Sequence, residues 1–495
     1  MDEPKVLPPN TARVPFFGDK LSFVTGLDPL GLQNPSVKTY TLLLPGLNNV
    51  TGQIRCYSFY CWLLNEYSKQ IKSTDPKEQK QFIRRAEYIV ALISKLADIQ
   101  GISGQQYAGH QIEKSDTYDL QVGTYNADNT TTNTYWQYHF GVFGQYYIGS
   151  MRQLGIIDEP LNDKGVFLGI YRISKPQNHL EVCGEELANA FDSEIDKASK
   201  AQFLNSIKTG FITKAQAEQL SVDFNLRDIN FNKPEWQLLI KAMLSVDEPV
   251  FKRDEPNSFR RQTLKHVLNF TKNNPGQISD REFTLFAYDS QGIINDVIDE
   301  CLEGWYFYQL NEFWQIACTS IFNGLMTQIE KQSGVGWIPI PELINIACTN
   351  IIDTIVNDGK LDIPNDFALN DIVIDYSERE LYSKIQARDH GNRMTYGFIL
   401  ILKSFLSNYQ NLDRLNEFTK NHQLNSNYFS LSYFNTLDFD TVYELSTLVK
   451  SFLRINIINR HQLVAYRKMG SGVQSTQKFI TEEGLIRQIG NFDPA

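Results

Sequence analysis

A chain of 495 residues, 42% hydrophobic and 12% aromatic, is too long for one ordinary core and carries enough packing material for several, which excludes a disordered tail. Lys+Arg 47 against Asp+Glu 57 gives a formal net charge of -10, so the molecule as a whole repels a polyanion and any nucleic-acid contact needs a local basic surface. Six cysteines without CxxC or Cys/His metal-ligand spacing exclude the common zinc modules and read as buried free thiols.

The opening is rich in turns. Pro15-Phe16-Phe17-Gly18-Asp19 and Gly26-Leu27-Asp28-Pro29-Leu30-Gly31-Leu32 carry Asp-Pro and Gly punctuation, and Leu42-Leu43-Leu44-Pro45-Gly46 breaks the chain again. Met1-Asp2-Glu3-Pro4-Lys5 lacks the basic flank and apolar run of a secretory signal, and no segment approaches about 18 consecutive apolar residues. A cytoplasmic protein without membrane contact is expected.

A helix is predicted from Thr51 or Gly52, with Ile54, Tyr57, Ser58, Cys61, Trp62 and Leu64 on a broad apolar face. Arg55 is a single charge in an uncharged stretch and requires a partner. Asp75-Pro76 supplies a cap and a first-turn proline for the next helix, whose apolar positions are Phe82, Ala86, Ile89, Ile93 and Leu96. Its Lys80, Arg84, Arg85 and Lys95 read as a solvated face. Residues 101–110 lack Walker spacing and are expected to be a flexible connection, and 123–134 an exposed loop.

A helix over Tyr135–Leu154 stops at Gly155, a left-handed C-cap. Val166–Ile173 reads as a strand, Lys175-Pro176-Gln177-Asn178 as a turn, Leu180–Val182 as a return strand, and Glu185–Ile195 as a helix. That order suits a winged-helix-like module over 131–200, in which Tyr147, Ser150, Arg152, Gln153 and Lys175 face DNA. The same order also serves a structural or dimerising module. From 201 to 420 the pattern is helix after helix, a scaffold, with Pro234 and Trp337-Ile338-Pro339-Ile340-Pro341 opening two of its helices. Ile-Ala-Cys-Thr recurs at 316–319 and 346–349 with unmatched flanks, which is no repeat.

The last segment, 421–495, is basic. Seven Lys or Arg against three acidic residues follow position 449, and on a regular helix Arg454, His461 and Lys468 repeat every seven residues beside Arg460 and Arg467. Such a stripe suits phosphates, as does Lys478 on a following strand-like stretch; a solvated face or pairing with the acidic bulk is the alternative. The expected fold class is mainly α and multidomain: an N-terminal helical domain (1–130), the winged-helix-like α+β module, the helical scaffold, and a small α+β C-terminal segment.

The seven histidines are isolated, and no HExxH, deaminase signature or Gly-x-Ser-x-Gly elbow is present. Dispersed carboxylates would still allow a nuclease; Asp75-Pro76-Lys77-Glu78-Gln79-Lys80 has an acidic-then-lysine order but reads better as a helix cap, and Arg388–Arg393 as a loop hydrogen-bond cluster. No metal ligand set or cofactor is implied.

Leu44-Pro45-Gly46-Leu47 followed by Thr51, Arg55, Tyr57-Ser58-Phe59-Tyr60 and Trp62 resembles an uncharacterised bacterial family encoded in phage-defence and restriction-type gene clusters. The chain's end is similar to it as well, with His461, Ala465, Arg467-Lys468, Thr476 and Glu483-Gly484 in the same order. The resemblance implies no activity. Together with the segregation of basic charge into two regions, it leads to the expectation of a non-catalytic, DNA-engaging subunit of a multi-gene anti-phage system, with other products of the same gene cluster as partners. Alternatives are a protein–protein scaffold without DNA contact and a metal-dependent nuclease.

Overall fold

The computed structural model describes residues 28–47, 50–121, 139–176, 181–244, 259–276, 279–332, 336–387, 392–424, 429–469 and 477–489. It is mainly helical, as expected, with short strands between helices. The chain divides into two compact units: a continuous one, residues 41–276, and a split one, residues 1–40 with 277–495. The boundaries expected at 130, 200 and 420 all fall inside these units. The expected loops at 15–19 and 123–134, and residues 388–391 of the Arg388–Arg393 cluster, lie outside the described residues.

Helix α1 (Gln33–Leu43) had no counterpart in the sequence reading. It stops before Pro45-Gly46, and Gly46 takes φ +79° with its α-carbon against Leu154, where a Cβ would sit 3.0 Å from Leu154 Cγ. Helix α2 (Arg55–Gln70) begins four residues after Thr51 and is buried from Arg55 to Leu64, because nothing in that run but Arg55 prefers water. Its Phe59 and Trp62 pack on Phe191 and Phe203, and Phe203 stacks on Phe224 at 4.1 Å.

Helix α3 (Pro76–Leu96) starts as expected: the Asp75 carboxylate accepts from the Lys77 amide at 2.8 Å. Asp75→Ala is expected to cost about 1 kcal/mol in urea unfolding and Asp75→Asn far less; equal losses would show that the cap contributes nothing. The solvated face needs correction. Arg84 is fully buried and Arg85 donates to the Ile207 carbonyl at 2.9 Å, so only part of that stripe meets water. The connection expected at 101–110 is likewise corrected: Gly104, at φ +92°, starts α4 (Gln105–Ile112).

After β1 (Thr117–Asp119), a π-helical turn over Phe143–Tyr147 leads into α5 (Ile148–Gln153), and Gly155 takes φ +70° as expected of a C-cap. The strand expected over 166–173 shrinks to β3 (Arg172–Ile173), and its antiparallel partner is β2 (Ile157–Asp158), upstream of it. Between them the Asn162 side chain accepts from the Lys164 and Val166 amides and turns the chain, while Gly169 at φ +77° interrupts extended structure. The expected return strand at 180–182 does not form at Glu181 or Val182. Helices α6 (Gly184–Glu194) and α7 (Lys197–Thr209), strand β4 (Phe211–Thr213), paired with β1, and helices α8 (Lys214–Leu220), α9 (Pro234–Leu244) and α10 (Arg260–Asn273) complete the continuous unit.

In the split unit α11 (Asp280–Asp289) and a tight hairpin, β5 (Ile293–Ile294) with β6 (Val297–Ile298), precede α12 (Glu300–Gln332). This 33-residue helix is buried on nearly every side. Beyond β7 (Ile338–Pro339) and α13 (Ile340–Asn357) come β8 (Leu361–Asp362), β9 (Asp366–Ala368), β10 (Val373–Ile374), α14 (Glu378–Gln386) and α15 (Arg393–Asn408). Gly397 lets α15 approach α12 closely, since a Cβ there would lie 2.8 Å from the Ala317 carbonyl oxygen. Helices α16 (Leu412–Asn421) and α17 (Ser430–Phe434), strand β11 (Val442–Glu444) and helix α18 (Leu445–Phe452) follow. A π-helical stretch, Leu453–Asn459, joins α18 to α19 (Arg460–Met469). The chain's last hairpin, β12 (Phe479–Glu482) and β13 (Leu485–Gln488), adds β7 to β13 to give a three-stranded antiparallel sheet. All six cysteines are free and buried, as expected.

Candidate functional site

The residues expected to form a cationic stripe do not lie together on one exposed face. The π-helical stretch at 453–459 breaks the regular 3.6-residue turn, so a seven-residue spacing no longer returns to one side of the helix. Arg454 is exposed, whereas Arg460, His461 and Lys468 are buried. These three bind successive carbonyls of one turn: Lys468 Nζ donates to Asp28 O at 2.6 Å, His461 Nδ1 to Pro29 O at 2.9 Å, and Arg460 Nε to Leu30 O at 2.8 Å. The other imidazole nitrogen, Nε2, accepts from the Lys478 amide at 3.0 Å, which fixes a neutral ring with its proton on Nδ1. Burial pushes His461 down to about 4, helped by the nearby Lys478 and Lys468 charges and opposed by the Pro29 carbonyl. Arg467 and the Lys478 side chain are half-buried. For Arg460, His461 and Lys468 the expected phosphate contact is therefore corrected to an internal clamp.

Of the groups on the expected DNA-facing helix, Tyr147 and Ser150 turn inward, while Arg152 and Gln153 are partly exposed. Tyr147 is buried, with its ring 5.4 Å from Tyr57 and 4.9 Å from Tyr60. Arg152 pairs with Glu159 at 2.9 Å, and the Gln153 side-chain oxygen, Oε1, accepts from the Gly46 amide at 2.7 Å. Ser150 is buried, and Lys175 is exposed.

Thr51, Arg55, Tyr57, Ser58 and Trp62 are buried in the continuous unit and bonded internally. Tyr57 donates to Thr51 Oγ1 at 2.8 Å, Trp62 Nε1 donates to Asp192 at 2.7 Å, and Arg260 donates to the Pro45 carbonyl at 3.0 Å. Arg55 has the partner its setting requires: Glu235 at 3.2 Å, with Glu194 at 3.8 Å and the carbonyls of Asn225 and Asp228 at 2.7 and 3.2 Å. Ser58 also donates to Glu235.

Beside this network lies a cavity of about 210 Å³ between α2, α3 and the start of the helix that carries Tyr147. Cys56, Phe59 and Tyr60 from α2, Glu87 from α3 and Tyr147 line it. Glu87 Oε1 accepts from the Phe143 amide at 2.7 Å and from Tyr60 Oη at 3.0 Å, while Oε2 accepts from the Val142 amide at 3.0 Å. The carboxylate thus caps the first turn of that helix, where free amides and the helix dipole favour negative charge. Gly141, at φ +61°, is required there, because a Cβ would come within 2.0 Å of Glu87 Oε2.

Burial raises Glu87 to about 7, against the pull of the two amides, Tyr60 and Arg84. Burial also lifts the Cys56 thiol to about 12, which removes it as a nucleophile near neutral pH. A cavity-lining carboxyl poised to gain or lose a proton near neutrality is a recognised mark of a functional site. Glu87 is not among the residues that the sequence singles out. The available signal was one acid within the otherwise apolar run Ala86–Ile93, the same pattern that singled out Arg55.

Fold and site together define a mainly helical protein of two compact units, with inward-turned cations in the split unit and a partly open cavity lined in part by aromatic rings in the continuous unit. Comparison with protein-family models, curated proteins and solved structures finds no match among any of the three. Among the described residues no helix is long and apolar enough to cross a membrane.

Proposed function

We propose that the chain is a non-catalytic helical subunit of a bacterial multi-gene anti-phage defence system, and that it works as a protein–protein scaffold without DNA contact. The observation that carries this reading is the clamp of Arg460, His461 and Lys468 on the carbonyls of Asp28, Pro29 and Leu30. It takes two cations, Arg460 and Lys468, and a neutral imidazole off the surface of a chain whose formal charge is -10. DNA affinity comes mostly from Lys and Arg neutralising phosphates, so each inward cation weakens the DNA-engaging alternative. That alternative, with its winged-helix-like module, keeps Lys175 in the continuous unit and Arg454 in the split unit as exposed cations. The resemblance at both ends of the chain supports the defence setting. The buried positions of Thr51, Arg55, Tyr57 and Trp62 give those shared residues an architectural role.

The purified chain is expected to leave duplex DNA unshifted in gel electrophoresis even at low salt, and to retain products of the neighbouring genes after nuclease digestion. A shift that weakens with added salt and disappears in the Lys175→Ala, Arg454→Ala double variant would reinstate DNA engagement. Cleavage of DNA that requires Mg²⁺ or Mn²⁺ would refute the non-catalytic assignment.

A further inference from the structure

We infer that the outer face of helix α10 is a docking surface for the acidic side of a helix in a partner protein. This deepens the scaffold reading and rests on it. The first ground is composition. In a chain whose formal charge is -10, α10 carries Arg260, Arg261, Lys265 and Lys272 and not one acidic residue.

The second ground is placement. At 3.6 residues per turn, spacings of four, three and four bring Arg261, Lys265, Leu268 and Lys272 into one narrow stripe about 16 Å long. Thr263 and Phe270 lie on the opposite side and are buried. From that side Thr263 Oγ1 donates to the Leu43 carbonyl at 2.7 Å, and Arg260 donates to the carbonyls of Met243 at 2.9 Å and Pro45 at 3.0 Å. The stripe is therefore carried on a helix held firmly from behind.

The third ground is the state of the stripe itself. Lys265, Leu268 and Lys272 are exposed, Leu268 by 64%, and Arg261 is half-buried. Among the described residues none of the three cations makes an ion pair, so their charge is available to a partner. Carboxylates are the complement, and opposite charge across an interface sets both encounter rate and register.

Leu268 decides what kind of partner brings them. Phosphate oxygens offer a leucine nothing, and three contacts fall short of the roughly 6–10 phosphates that a DNA-binding protein neutralises. An amphipathic helix on a membrane turns its apolar side to the lipid, whereas the apolar side of α10 is packed inward. A protein helix with carboxylates at matching spacings and an aliphatic side chain between them meets the three cations and covers Leu268 at once.

The test uses the full-length chain and a labelled alanine-rich helical peptide with Glu at its positions 1, 8 and 12 and Leu at position 5, the antiparallel match to the stripe. Fluorescence anisotropy at low salt is expected to show saturable binding, weakened by about tenfold or more when the three Glu are replaced by Gln. The triple variant Arg261→Glu, Lys265→Glu, Lys272→Glu is expected to lose the acidic peptide and to bind its Glu→Lys copy instead. The Gln copy tests the unaltered chain, so the comparison does not depend on that variant folding. No binding of the acidic peptide, equal binding of its Gln copy, or undiminished binding by the triple variant would each overturn the assignment. If the peptide fails while products of the neighbouring genes are still retained, this surface falls and the scaffold reading stands. A duplex-DNA shift that is lost in the triple variant would overturn both.

Discussion

Arg55→Ala is expected to destabilise the continuous unit by about 3–5 kcal/mol, the usual result of leaving one member of a buried ion pair without the other. For a unit of this size that is a fall in melting temperature on the order of 10 °C. The reason lies with Glu235, which is fully buried and would lose its cationic partner at 3.2 Å while keeping only the Ser58 hydroxyl. Burial already holds the Glu235 carboxyl above its ordinary value, with Arg55 pulling it back. Without Arg55 it rises further, so the native state binds a proton that the unfolded chain releases. The penalty then grows as pH rises above the ordinary carboxylate range and shrinks as pH falls. Urea unfolding of Arg55→Ala and of Arg55→Ala with Glu235→Gln, at neutral and mildly acid pH, checks both points. The double variant should recover part of the loss, and a penalty independent of pH would remove Glu235 from the explanation.

Acid should loosen the split unit through His461. In the unfolded chain its imidazole titrates near 6.5; in the fold it is neutral and pushed down to about 4. Between those values the unfolded state takes up a proton that the folded state refuses. Stability from this group is therefore complete above about pH 6.5 and is lost progressively towards pH 4, by roughly 3 kcal/mol in all. Protonation would put a hydrogen on Nε2, which now accepts from the Lys478 amide, and would place a cation among Lys468 and Lys478. His461→Gln cannot ionise, so its stability profile should lack this part of the acid slope. Parallel profiles for the two proteins would mean that His461 is not the group responsible.

What was legible in the sequence follows from the range of the interactions involved. The start of α3, the left-handed Gly155, the burial of the cysteines and the need of Arg55 for a partner depend on a few adjacent residues and on polarity, so they can be read locally. The two-residue strands could not, because alternation needs a longer run to show. The basic stripe failed for two physical reasons. A π-helical stretch shifted the register between Arg454 and Arg460, and the carbonyls that receive Arg460, His461 and Lys468 lie at the other end of the chain. A lysine that will meet water and one that will meet a buried carbonyl have the same local sequence signature. Glu87 was within reach on polarity alone, yet the cavity beside it depends on residues from several separate segments.

The carbonyl clamp also has a temporal side. Arg460 and Leu30 are 430 residues apart, so at roughly 5–20 residues per second a ribosome needs on the order of 20–90 s between making the receiving turn and making the groups that hold it. Residues 41–276 emerge uninterrupted and have all their own contacts available long before then. Newly made chains therefore pass through a stage in which the continuous unit is assembled while the Asp28–Leu30 turn waits unclamped for the final stretch to be translated.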